Sequence, residues 1–215
     1  MPLDKEWPLC NECLSQIERL HPPFCSRCGR TLTETECRFC LEGRTPDPVF
    51  PIRSSARYAG RPVQAAILLA KTGRFESLMD HFGRVLVPLA LPFLDSFPET
   101  EIAVVPVPQH ARRFSTTGFN FPDRLALRLA REVGLEYRPL LLNKAIDTRP
   151  QKGLSLSDRM ENVAGSFNIV KSKPLQNQMI FLVDDVTTSG ATLAAAATPL
   201  IQAGAHVVAL TLARA

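Results

Sequence analysis

No run of apolar residues in this chain approaches the roughly 20 that a membrane-crossing helix needs, and the mean hydropathy is +0.00. The opening residues, Met1-Pro2-Leu3-Asp4-Lys5-Glu6, lack a basic segment followed by an apolar one. No secretory leader is therefore expected, and a cytoplasmic location is. Strong charge imbalance is missing as well, with a net charge of +4 over 215 residues. Cysteine is absent beyond residue 40. What remains is 45% hydrophobic and 21% charged, long enough for one full core and a small appendage.

The six cysteines, at positions 10, 13, 25, 28, 37 and 40, form three Cys-x-x-Cys pairs. In a reducing compartment this spacing predicts metal binding rather than disulfides, and thiolate ligands favour zinc in a four-cysteine tetrahedron. Six does not divide by four. Cys25/Cys28 and Cys37/Cys40 are the favoured set, because Gly29 after Cys28 suits the tight turn around a metal-bound loop. Cys10 and Cys13 are then left over. The rival set joins Cys10/Cys13 to Cys25/Cys28, and a third reading, a redox dithiol, lacks the strand-then-helix pattern around any pair.

Residues 1–45 hold six Lys/Arg against seven Asp/Glu, which leaves nineteen against fourteen in residues 46–215. Thiolates on zinc would make the first segment more negative still, so the cysteine module is no electrostatic match for nucleic acid. Residues 42–51, rich in Gly, Pro and charge, read as the linker to a second domain.

That second domain is organised around residues 180–192. Ile180-Phe181-Leu182-Val183 predicts a strand buried in a parallel sheet. Asp184 and Asp185 follow, then the small loop Thr187-Thr188-Ser189-Gly190-Ala191-Thr192, then helix-forming residues 193–197. A loop that leaves a strand's carboxyl end and enters a helix offers unpaired N–H groups to an anion. Thr188, Ser189 and Thr192 add hydroxyls, and Gly190 lets the backbone come close. Two acids beside a phosphate cradle would repel phosphate alone, but suit hydroxyls or a Mg²⁺ ion next to it. A phosphorylated ribose has both features.

Elsewhere the sequence predicts a short strand over 54–58 and a helix over 62–71, with Lys71 at its end and Gly73 beyond it. Residues 84–94 are apolar but carry Pro88 and Pro92, so a kinked or broken helix is expected. A second buried strand over 102–107 exits through Pro106 and Pro108 toward Arg112 and Arg113, and a helix over 122–133 ends at Gly134. If the strands are parallel, Arg112 lies on the same sheet edge as Asp184. Residues 143–163 are polar enough to read as a mobile functional loop. A strand or edge is expected at 166–170 and a last apolar strand at 206–213, after a helix that Pro199 should bend. His81, His110 and His206 are given no chemical role.

The 180–192 stretch resembles the signature of type I phosphoribosyltransferases. Across nearly the whole chain, the cysteine-rich start, Val105-Pro106-Val107-Pro108, Arg112, Gly118-Phe119-Asn120, Thr148, Gln151, Arg159, Asn162, Phe167 and the 184–192 loop resemble the ComF (competence protein F) family. That resemblance implies an α/β fold, a type I phosphoribosyltransferase-like parallel sheet flanked by helices and preceded by a small zinc ribbon. It also implies binding of phosphoribosyl pyrophosphate with Mg²⁺, and a part in DNA uptake during natural competence, whose machinery and single-stranded DNA would be partners. Asp184 and Asp185 would hold ribose hydroxyls in the catalytic centre. Thr188, Ser189, Gly190, Ala191 and Thr192 would hold the 5′-phosphate. The 107–113 loop with Arg112 would lie near pyrophosphate, and Lys71 resembles the family's lysine before a glycine turn. The family's usual Arg-Gly-Phe-Asn-Gln reads here with Thr117 and Phe121 at its ends. An alternative keeps the same cradle as a sensor without turnover, or as a single-stranded DNA adaptor.

Overall fold

Strands with apolar residues on both faces cannot sit at a solvated surface, and the two most apolar segments of the chain occupy the centre of one sheet. The computed structural model describes residues 9–44, 50–72, 76–97, 101–110, 120–146, 156–170 and 174–215. Its elements run α1 (Asn11–Ser15), α2 (Arg38–Leu41), β1 (Ile52–Arg57), α3 (Arg61–Lys71), α4 (Glu76–Ser96), β2 (Ile102–Pro106) and α5 (Phe121–Val133). They continue with β3 (Glu136–Tyr137), β4 (Leu142–Lys144), α6 (Leu156–Val163), β5 (Phe167–Ile169), β6 (Met179–Thr187), α7 (Ala191–Gln202) and β7 (His206–Arg214).

Five strands in the order β1-β7-β6-β2-β3 form an all-parallel sheet, while β4 and β5 pair antiparallel on their own. Helices cover both faces. On one, Val63 and Ile67 of α3, Phe82 and Leu86 of α4, and Leu125 and Leu129 of α5 pack on Phe181 and Val183. On the other, Leu193, Ala197 and Leu200 of α7, with Leu142 and Phe167 of the small sheet, pack on Ile180 and Leu182. The expected α/β architecture, a helix-flanked parallel sheet with a cysteine cluster before it, is what the chain forms.

The cysteine-rich start is docked on this sheet. Leu20 N–H donates to the Ser55 carbonyl at 3.0 Å and Arg57 N–H to the Glu18 carbonyl at 2.8 Å, so this segment runs antiparallel along the outer edge of β1. Ile17 joins the α3–α5 core. Opposite, the other edge strand, β3, is only two residues long, which leaves little to pair with.

Two expectations need correction. The helix at 84–94 is not broken: α4 runs from Glu76 to Ser96 through both prolines. Pro88 is half-buried and Pro92 exposed, whereas Phe82, Val85, Leu86 and Ala90 face the core. The carbonyls freed by the missing N–H groups therefore lie toward water, where they are solvated. Residues 143–163 are not one long loop, since β4 includes Asn143 and Lys144, and α6 fills residues 156–163. Pro199 falls inside α7 as expected, and the helix continues to Gln202.

Candidate functional site

Parallel pairing brings the carboxyl ends of β2 and β6 to one edge, with Pro106 opposite Val183. Val107 N–H donates to the Val183 carbonyl at 2.8 Å, which extends the contact to the start of the acid pair. Residues 107–110 thus border Asp184. Gln109 Oε1 and Asn120 Oδ1 are buried there without a hydrogen-bond partner, and Asn120 Nδ2 donates to the Val107 carbonyl at 3.2 Å. Arg112, Gly118, Phe119, Thr117, Thr148 and Gln151 lie outside the described residues, as does Gly73.

Side chains alternate along a strand, so Asp184 follows Ile180 and Leu182 while Asp185 follows Phe181 and Val183. The partners agree with that division. Asp185 Oδ2 is 2.8 Å from Lys71 Nζ at the end of α3, on the helical face containing Phe181. Lys71 remains 40% exposed, so this pair is a modest stabiliser. Asp184 is pushed up to about 7, first by burial and then by the charge of Asp185, against the pull of Lys71 and Lys144. Its Oδ1 accepts the Asp185 N–H at 2.8 Å, and Val186 N–H donates to Asp185 Oδ1. Both carboxylates are therefore oriented by the backbone.

The loop turns at Gly190, whose φ of 88° is in the left-handed region that a side chain disfavours. That turn starts α7 at Ala191, where Ala194 N–H donates to the Gly190 carbonyl at 2.8 Å and Ala191 N–H to Ser189 Oγ at 3.4 Å. Thr188 is exposed, Ser189 and Thr192 half-buried, and Gly190 and Ala191 buried. Acid pair, hydroxyl loop and helix start are thus contiguous, as the sequence order requires.

Lys144 was not singled out as a site residue by its sequence. It ends β4, lies 5.5 Å from the Phe167 ring centre, and acts electrostatically on Asp184. Only the folding of the small β4–β5 sheet against the β6–α7 face brings it there, and no local motif announces that. Thr211, the register partner of the half-buried Asp184, is itself buried and shares a 2.6 Å hydrogen bond with Ser54.

A second centre is formed by Cys25, Cys28, Cys37 and Cys40, whose sulfurs all lie within 4.8 Å of one another. Cys25 Sγ is 3.6 Å from Cys40 Sγ, and Cys28 Sγ is 3.6 Å from Cys37 Sγ. A tetrahedron with Zn–S bonds of 2.3 Å has edges of about 3.8 Å, so the donor set fits zinc in both chemistry and spacing. Burial opposes ionisation of Cys25, but the backbone N–H groups of Cys28 and Arg27 bring it down to about 7. Cys10 and Cys13 are not part of this group, which removes the rival pairing.

Among the described residues, no helix is long and apolar enough to cross a membrane. No protein-family model matches the chain. It is 29% identical over 208 residues to DNA utilization protein YhgH of Escherichia coli, covering 94% of this chain and 88% of that protein. It is 27% identical over 192 residues to competence protein F of Haemophilus influenzae, covering 86% and 80%. Competence protein ComFC of Bacillus subtilis is 25% identical over 200 residues, covering 91% and 79%. With the four-cysteine group preceding a helix-flanked parallel sheet, these similarities make the chain a homologue of competence protein F, ComFC and YhgH along most of its length.

Proposed function

We propose that the edge formed by β6, its loop and α7 binds phosphoribosyl pyrophosphate with Mg²⁺, and that the protein acts in DNA utilization as a phosphoribosyltransferase. The observation that carries this reading is the continuity of two oriented carboxylates with a glycine-hinged hydroxyl loop at a helix start. In this reading Asp184 and Asp185 hold the ribose hydroxyls, and the Thr188–Thr192 amides and hydroxyls hold the 5′-phosphate. Mg²⁺ on the diphosphate would sit beside the carboxylates, hard oxygen donors of the kind it prefers. Lys71, now on Asp185, and Arg112 would balance the pyrophosphate. The ion supplies stabilisation of the leaving group; the chain's own residues position the sugar and exclude water from its anomeric carbon.

The DNA setting is inferred from the relatives' names, competence protein F and DNA utilization protein. The cysteine module, residues 1–45, would be a structural zinc ribbon and residues 46–215 the ligand-binding domain, in a cytoplasmic protein. A second reading, a sensor without turnover, is favoured by the loop itself: residues 186–192 contain no titratable side chain to act as a general base.

Calorimetric titration of phosphoribosyl pyrophosphate with Mg²⁺ into the wild type and Asp185→Ala tests the site. Binding should weaken by at least about tenfold in the variant, corresponding to a lost charged contact of about 1.4 kcal/mol or more. Equal affinities would remove the assignment. Acceptor-dependent release of pyrophosphate separates enzyme from sensor.

A further inference from the structure

Arg214, the last residue of β7, is 2% exposed, and none of its three guanidinium nitrogens has a hydrogen-bond partner. A buried cation in that state carries a large desolvation cost, so its partner has to be sought nearby. The surroundings are of one kind. Cys28, also 2% exposed, is the first group to favour the charge on Arg214, joined by Cys40 and Cys25, while Arg30 opposes it. Burial lowers the guanidinium to about 10, which leaves it charged at neutral pH. Cys28 is acted on by Arg214 in return. Neutral thiols are weak acceptors and offer little to a guanidinium.

The cysteine loop is held against two neighbouring strands, by Arg30 at the end of β7 and by Gly29 at the start of β1. Arg30 Nη2 donates to the Ala215 carbonyl at 3.4 Å, and a Cβ on Gly29 would stand 1.7 Å from the Ile52 carbonyl oxygen, so the loop's main chain touches β1 directly. Tyr58 N–H donates to the Arg214 carbonyl, which holds the strand in place beneath it.

We propose that Arg214 is the counter-ion of the metal-loaded cysteine site, its guanidinium donating to the sulfurs that Cys25, Cys28 and Cys40 present around a bound zinc ion. Four thiolates on a divalent ion leave a double negative charge, and two of the four cysteines are buried. Such a charge needs a buried cation and N–H donors to its sulfurs, and Arg214 supplies both. The metal site is therefore completed by a residue from the far end of the chain. Zinc joins the cysteine module to the strand that pairs with the acid-bearing strand, since Ala215 N–H donates to the Thr187 carbonyl at 2.9 Å. This inference stands apart from the phosphoribosyl reading.

The test uses the full chain with Arg214→Met and Arg214→Gln. Zinc affinity is measured by competition with a chromophoric chelator, and the cobalt-substituted protein is read by its sulfur-to-metal charge-transfer absorption. Both variants should bind zinc about 10- to 100-fold more weakly, the range typical of lost outer-shell partners, with a shifted cobalt band. Metal-free Arg214→Met should melt no lower than the metal-free wild type, because the variant also removes an unpartnered buried charge. A purely structural arginine would destabilise both forms alike. Zinc affinity within about threefold of wild type in whichever variant folds would overturn the proposal. So would equal destabilisation of the two forms, or failure of both variants to fold with zinc supplied.

Discussion

Replacing Asp184 by asparagine should make the protein more stable, and the effect should grow with pH. Burial first, and then the neighbouring Asp185 charge, raise the Asp184 carboxyl from 3.8 to about 7. Between those values the folded protein holds a proton that the unfolded chain has released. Its folding stability therefore declines as pH rises through this window, and the full cost is present above pH 7. At 1.36 kcal/mol per unit, the shift amounts to about 4 kcal/mol for the ionised group, of which about 3 kcal/mol is incurred between pH 5 and pH 8. Asparagine keeps an oxygen for the 2.8 Å bond from Asp185 N–H while removing the charge. Urea denaturation of both proteins at pH 5 and pH 8 reads the difference directly. The variant should gain about 2–4 kcal/mol over the wild type at pH 8 and clearly less at pH 5. An identical pH slope in the two proteins, or a variant weaker at both values, would refute the account of Asp184 as a strained acid.

Two glycines mark close approaches whose loss should be measurable. In α4, a Cβ at Gly83 would lie 2.2 Å from Arg128 Cγ and 2.4 Å from Arg128 Cβ, so Gly83→Ala should force α4 and α5 apart and cost about 1–3 kcal/mol in denaturant unfolding. An unchanged midpoint would mean the helices are not in this contact. Gly29→Ala meets both the Ile52 carbonyl and a φ of +72°, and should cost about 2–5 kcal/mol while speeding zinc loss to a chelator. Retention of zinc at the wild-type rate would show that the cysteine loop does not rest on β1.

The parts of the fold written in contiguous residues were legible in the sequence. Residues 180–183, apolar without interruption, become β6, and the loop to α7 turns at the glycine expected to turn it. The helix expected over 122–133 starts one residue earlier and ends at Gly134, whose φ is 70°. The cysteine set was reached from the spacing and from Gly29 together, and the 3.6 Å sulfur contacts agree with it. Pro88 and Pro92 leave α4 unbroken, which sequence alone does not announce because it does not say which side of a helix faces water. Polarity misled at 156–163, where a short helix lies against α7 and ends on the buried Val163. Lys144 beside Asp184 and Arg214 beside the cysteines depend on which ends of distant strands meet. No window of neighbouring residues encodes that.

The antiparallel segment at residues 18–20 also has a meaning for how the chain can be cut. It satisfies the outward amide and carbonyl groups of β1, and Ile17 seals apolar surface next to it. A fragment beginning after the cysteine residues would bare an unprotected strand margin beside the apolar surface that Ile17 covers, a template onto which a second molecule could add its own backbone. The small module thus covers that margin, and a chain shortened past it should self-associate where the full one does not.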